Sequence, residues 1–365
     1  MEEKYLLEIC NPKQWKTIPK SQLLENGKFP VYGANGIIGR YNEYNHEKPT
    51  VLITCRGATC GNIHITVPKA YINGNAMALD NLNEIICKKE YLYYFLQYYD
   101  MSKIISGTAQ PQITITGLKK VKVKLYSINK QEEIVNELNK INKLIELKER
   151  QLEELQKLIK SQFVEMFGIP FLNDKNWKHG IIKDLVREVK YGTSKPANGG
   201  KYKYLRMNNI TYDGKLDLRE IKYIDIEESD KEKYLTKNGD ILFNRTNSKE
   251  LVGKTCVFDV EEEMIIAGFI IRVRVNDFAN PYFISEYLNT VYLKDKLRNM
   301  CKDASGQSNI NAKELQNIKI YIPPITLQNQ FSEIVKQIDK QKFEIEKSLK
   351  ETQELYESLM EKYFG

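Results

Sequence analysis

The residue types best suited to chemistry are few. Cys55, Cys60 and His64 follow a C-x4-C-x3-H spacing, which could bring two thiolates and an imidazole to one metal ion. That spacing straddles a strand, a turn and a second strand, and no clear fourth ligand follows. Buried free thiols account for these cysteines better than a metal centre does. The chain holds three histidines, so general-base chemistry has few candidates. There is no GxxxxGK[ST] phosphate loop, and no GxGxxG follows a strand. Asn280-Pro281-Tyr282-Phe283 has the outline of an Asn-Pro-Pro-Tyr catalytic motif but lacks its second proline. No glycine-rich cofactor motif accompanies it, and Asn-Pro opening a helix is the better reading. No pair of carboxylates stands apart from solvated surface charge. The expectation is a chain with no catalytic residues, no metal and no cofactor of its own.

With 365 residues, the chain is too long for one ordinary core, so two or more domains are expected. The six cysteines include no CxxC pair and suit a reducing, cytoplasmic location. The N-terminus has no apolar core of a signal peptide, and no apolar run reaches membrane-spanning length. The net charge of +7 is unevenly spread. Residues 1–130 carry a net +7 and residues 169–323 a net +4, while residues 131–168 and 324–365 each carry −2. A polyanionic partner would therefore meet the first and third segments.

The chain repeats itself. "SQFVEMFG" ends at Gly168 and "SLMEKYFG" ends at Gly365, 197 residues later. At that offset Ile113 falls on Ile310, Leu118 on Leu315, Gln131 on Gln328 and Leu152 on Leu349, and no gap is needed over about 55 residues. The repeated tail is a heptad pattern. In the first copy the seam reads Ile134, Leu138, Ile141, Ile145, Lys148, Leu152, Leu155, Ile159, Gln162, Met166. In the second it reads Phe331, Val335, Ile338, Lys342, Ile345, Leu349, Thr352, Tyr356, Leu359, Tyr363. The spacing predicts a coiled coil, with Lys148 and Lys342 setting its register.

The remaining segments read as α+β. Short β-branched runs at 50–54, 63–67, 240–243, 270–275 and 318–322 predict strands. One helical stretch is expected in each, over 89–105 and 281–301. This divides the chain into a first globular domain at 1–130, a helix at 131–168, a second domain at 169–323 and a second helix at 324–365.

Two unequal globules alternating with two near-identical long helices resemble the specificity subunit of a type I restriction–modification system. The features that carry the resemblance are "SGTAQPQIT" and "ASGQSNIN", each followed by a short strand and then "INKQEEIVNELNKI" or "IPPITLQNQFSEIVKQI". "FPVYGANGIIGRYN" with "VLITCRGATCGNI", and "YKYLRMNNI" with "GDILFNRTNSKELVGKT", are also similar to such recognition domains. The first copy has "VKLYSINKQ" where the second has the more typical "IYIPPITLQ". The resemblance implies a non-catalytic subunit that reads double-stranded DNA, one half of a bipartite site per domain. It also implies two methyltransferase subunits as partners, which motor-nuclease subunits can join. S-adenosylmethionine, ATP and Mg would belong to those partners. A fused enzyme, or a coiled-coil scaffold that binds proteins without DNA specificity, are the other classes considered. The first lacks its motifs, and the second does not explain the basic globules.

On this reading, cationic side chains in turns are candidate DNA contacts: Arg40, Arg56, Lys195, Lys201, Lys203, Arg206, Arg245, Lys249 and Lys254. Neighbouring amides are candidates for base edges: Asn35, Asn62, Asn208, Asn209 and Asn247, with Gln110, Gln112, Gln307 and Asn309 from the Ser-Gly loops. Arg56 and Arg245 stand out because each follows an apolar run, "VLIT" or "ILF".

A helix over 131–167 is about 55 Å long at 1.5 Å per residue. If the second helix pairs with it, it must run back, so the pair is expected to be antiparallel, with the domains at opposite ends and a pseudo-twofold relating them. A fragment of residues 1–168 would then expose an apolar seam that matches its own helix. The fragment is expected to dimerise and, with methyltransferase partners, to modify an inverted repeat of the first half-site. Sizing the fragment and sequencing its methylated sites checks this. A folded fragment that stays monomeric contradicts the antiparallel pair.

Overall fold

The heptad segments form two 40-residue helices, Ile128–Phe167 and Ile325–Phe364, each about 60 Å long. Every expected seam position is buried or half-buried. The first helix stops at Gly168, whose φ of +81° suits glycine and whose N–H caps the Val164 carbonyl. The computed structural model describes residues 2–34, 36–107, 110–301 and 308–365. They divide into two compact units, Met1–Glu149 with Lys347–Gly365, and Arg150–Glu346. Each long helix therefore contributes to both.

Within each unit the helices pair antiparallel. In the first, the Tyr363 hydroxyl donates to Glu137, while Lys148 donates to the Ser348 carbonyl and to the Ser348 and Thr352 hydroxyls at 2.6–2.9 Å. In the second, Lys342 donates to Gln156 at 2.7 Å and Phe163 meets Phe331 at 5.5 Å. Both seam lysines thus find acceptors on the opposite helix, so the polar position selects one register.

The first unit has a four-stranded antiparallel sheet in the order Asn11–Gln14, Ala76–Asp80, Val51–Thr54, Ile63–Ile65. A three-stranded sheet runs Gly36–Tyr41, Phe29–Gly33, Tyr71–Ile72, the last pair being parallel. Glu2–Tyr5 pairs with Lys122–Leu125. The second unit repeats all three. Its sheets run Val186–Tyr191, Ile270–Val275, Asp240–Asn244, Thr255–Phe258, then Lys222–Ile224, Tyr202–Leu205, Ile265–Ile266, with Lys178–Ile181 paired to Lys319–Ile322. The shared strand order shows that the duplication includes the domains, beyond the ungapped repeat of the tails.

Two of the expected helices are interrupted. The first ends at Tyr98, because Asp100 caps a new short turn by accepting from the Ser102 N–H. The second splits into Pro281–Asn289 and Val291–Met300, because Thr290 is extended and its hydroxyl caps the second piece. Pro281 does occupy the first turn, with Asn280 as N-cap. The run "IIRVRV" places Arg272 and Arg274 among Glu188 and Asp240. Arg272 lies 2.6 Å from Glu188, and Arg274 lies 2.8 Å from Asp240. Arg272 is 1% exposed, and this pairing makes its burial tolerable.

The long helices end in the cores. Phe364 packs on Tyr91 and Phe95 in the first unit. Phe167 packs on Phe283 and Phe331 in the second, at 4.8 and 5.4 Å between ring centroids. Truncating Phe167 to alanine would empty a fully buried site, so it is expected to cost about 3–5 kcal/mol. A denaturant midpoint unchanged by Phe167→Ala would contradict the helix end's role in that core.

Candidate nucleic-acid interface

The polar turns of each unit gather at one end of its four-stranded sheet, and backbone hydrogen bonds fix their register. In the first unit, Thr54 N–H donates to Asn62 O, Gly61 N–H to Thr54 O and Ile113 N–H to Cys55 O, at 2.8–3.0 Å. In the second, Asn244 N–H donates to Lys254 O, Gly253 N–H to Asn244 O and Ile310 N–H to Arg245 O, at 2.8–2.9 Å. Gly61 and Gly253 both adopt positive φ, +100° and +80°. Thr54 therefore matches Asn244, Cys55 matches Arg245, and Arg56 matches Thr246. The two prominent arginines are not equivalent; they stand one residue apart in register.

This shift separates their surroundings. Arg56 is exposed and bridges across to Gln112. Arg245 is half-buried, with its guanidinium 4.9 Å from the Tyr191 ring centre. Tyr191 is itself held, since its hydroxyl accepts from the Ala312 N–H at 2.7 Å. One Arg245 nitrogen approaches the Gly268 carbonyl at 3.5 Å, and its Nε has no partner among the described residues. At the matching place in the first unit, Gln14 donates to the buried Cys55 thiol. Sequence reasoning passed over Tyr191, which only strand pairing brings to the turn, and Thr246, whose partner Asn309 comes from a distant loop.

The other candidates fall into three groups. Asn62, Gln110 and Gln112 are exposed on the first unit's turns, and Asn247, Lys249 and Asn309 lie on the second unit's, where Asn247 also donates to Asn244. Lys195 and Asn208 are exposed, and Lys201 is exposed beside Tyr202. The remaining candidates have spent much of their capacity internally. Arg40 donates to the Gly27 and Lys28 carbonyls. Lys203 pairs with Glu262 at 2.6 Å. Buried Asn209 donates to the Asp217 and Glu220 carbonyls, and Arg206 reaches the same Glu220 carbonyl at 3.4 Å. Lys254 is buried and donates to the Met207 carbonyl at 2.8 Å. Asn35 and Gln307 lie outside the described residues.

Lys254 and Lys294 support the second unit's turn from beneath. Lys294 is buried and donates to the Gly253 carbonyl at 2.8 Å. Burial lowers the amines of both, that of Lys294 to about 7. Among the described residues no group of three or more His, Cys, Asp or Glu is arranged to hold a metal ion, and no helix is long and apolar enough to cross a membrane. What the turns offer is donors and acceptors on a rigid frame.

The model of the type I restriction modification DNA specificity domain matches residues 1–157 and again 174–355. The chain belongs to that family. Among curated specificity subunits, it is 29% identical to the putative MjaX subunit of Methanocaldococcus jannaschii, over 52% of this chain and 46% of that protein. It is 26% identical to the EcoKI subunit of Escherichia coli, over 45% of this chain and 36% of that one. The matched part thus spans less than half the length of either. The putative subunit S.HindORF215P of Haemophilus influenzae is 24% identical over 92% of this chain and 86% of its own. The crystal structure of the type I system S subunit from M. genitalium shares the fold with a TM-score of 0.65 at 17% identity, covering 100% of this chain and 96% of that one.

The Lys294 amine gives a pH test. Between pH about 7 and about 10.5 the unfolded chain binds a proton that the folded chain does not, so stability contributed at this site rises with pH across that window. Lys294→Met is expected to flatten that rise. Denaturant midpoints taken at pH 7 and 10 measure it, and an identical rise in wild type and variant refutes the buried neutral amine.

Proposed function

We propose that this chain is the non-catalytic DNA-reading subunit of a type I restriction–modification system. Each globular unit reads one half of a bipartite site in double-stranded DNA. The long helices and nearby domain surfaces hold two methyltransferase subunits, and motor-nuclease subunits can join them. S-adenosylmethionine, ATP and Mg act on those partners. The observation that carries the reading is the repeated turn frame: one backbone register presented twice, with different polar side chains on it. A shared frame suits one docking mode, and differing side chains suit two different half-sites. The basic excess of residues 1–130 and 169–323 supplies the sequence-independent attraction to phosphates.

The full chain should select a two-part sequence from a randomised duplex pool. Its affinity should fall on the order of a thousandfold between about 50 and about 200 mM salt. Arg245→Ala should lose about 1–3 kcal/mol of discrimination in the half-site read by the second unit and leave the other half intact. Native mass of the assembled complex should show two methyltransferase copies. A chain that binds methyltransferase but selects no DNA would instead be a protein scaffold.

A further inference from the structure

The matched register singles out one cross-strand pair in each unit. Gln112 faces Arg56, and Asn309 faces Thr246, each in an antiparallel pairing. Directly opposed residues in such a pairing project from the same face, with Cβ atoms about 4.5–5.5 Å apart. In the second unit the two side chains touch. The Thr246 hydroxyl donates to Asn309 Oδ1 at 3.1 Å. Thr246 is buried and Asn309 is exposed. The strand carrying Thr246 is braced in turn, because the fully buried Asn244 donates to the Thr246 carbonyl.

That contact orients the asparagine amide. A free asparagine can present either end. Here Oδ1 is held towards Thr246 and keeps one lone pair, while neither amide N–H has a partner among the described residues. The exposed end therefore shows an acceptor beside a donor. In the major groove, adenine shows the complement, an N6–H donor beside the N7 acceptor. Guanine shows two acceptors and leaves Oδ1 opposite another oxygen. Cytosine and thymine show one polar group each.

We propose that Asn309 reads an adenine in the half-site of the second unit, and that Thr246 is the positioning residue that orients its amide. The inference rests on the DNA-reading function proposed above. The first unit holds Arg56 and Gln112 at the same place. The Arg56 side chain has no hydrogen bond or ion pair among the described residues, so that pair presents a guanidinium and an unfixed amide. The two half-sites therefore differ at the corresponding position because the paired side chains differ.

The test is selection of full-length wild type and variants from a randomised duplex pool, read by sequencing. Wild type should select adenine at one position of the second half-site. Asn309→Ala should lose roughly ten- to hundredfold discrimination there and nowhere else. Thr246→Val should weaken preference at that same position, and Thr246→Ser, which keeps the hydroxyl, should restore it. Gln112→Ala should alter the first half-site only. Unchanged reading of the first half-site shows that the Asn309 and Thr246 variants are folded. If Asn309→Ala keeps the wild-type preference, or weakens every position alike, the inference is overturned while the DNA-reading function stands. If wild type selects no sequence at all, both fall.

Discussion

A buried glutamine at the root of each long helix ties that helix to its domain, and the rest of the architecture depends on it. Gln131 accepts from the Lys88 N–H and donates to the Ile86 and Tyr126 carbonyls. Gln328 accepts from the Asn280 N–H and donates to the Phe278 and Pro323 carbonyls. Both side chains are fully buried, so each must satisfy its amide entirely within the protein. Lys88 and Asn280 are the N-caps of the domain helices, so one side chain couples the start of the long helix to the start of the domain helix. Losing it would leave three backbone groups unpaired in each unit. The aromatic ends complete the attachment, since Phe364 and Phe167 pack on the same domain helices.

A frame fixed in this way separates scaffold from reading surface. The hydrogen bonds that set the turn register are backbone to backbone, and they recur in both units with different side chains. Chemistry can then change while geometry persists. The Cys55 and Arg245 pair illustrates the point. One position holds a small buried thiol against Gln14; its counterpart holds a guanidinium against a tyrosine ring. The second unit also props its turn on two buried lysines, Lys254 and Lys294, whose amines donate to main-chain carbonyls. Such lysines contribute shape and hydrogen bonds, and little charge at the surface.

What the sequence made legible follows from which forces are periodic. The helices could be read because their seam repeats every 3.5 residues and the duplication needs no gap there. Two strands of each four-stranded sheet could be read because they are β-branched and continuous, whereas Asn11–Gln14, Ala76–Asp80, Val186–Tyr191 and Thr255–Phe258 were not anticipated. The three-stranded sheets were not anticipated. Their strands, such as Phe29–Gly33 and Tyr202–Leu205, mix aromatic, proline, glycine and lysine residues, and tertiary pairing decides their conformation. The break at Thr290 depends on a side-chain cap within an otherwise helical run. Among the candidate contacts, residue type and turn position could point to Arg56, Gln112 and Asn309. They could not reveal that Arg40, Lys203, Asn209 and Lys254 spend their hydrogen bonds on carbonyls and carboxylates brought from elsewhere in the chain. Nor could they reveal the one-residue offset between Arg56 and Arg245, because both follow similar apolar runs.

The central claim is that two matched turn frames read two different halves of one DNA site. Photo-cross-linking tests it most directly, with a cross-linking residue placed at position 112 in one sample and at position 309 in another, each bound to the selected duplex. The account predicts that position 112 labels bases only in the first half-site and position 309 labels bases only in the second. Labelling of the same half-site from both positions, or labelling that never reaches a base from either, would contradict it.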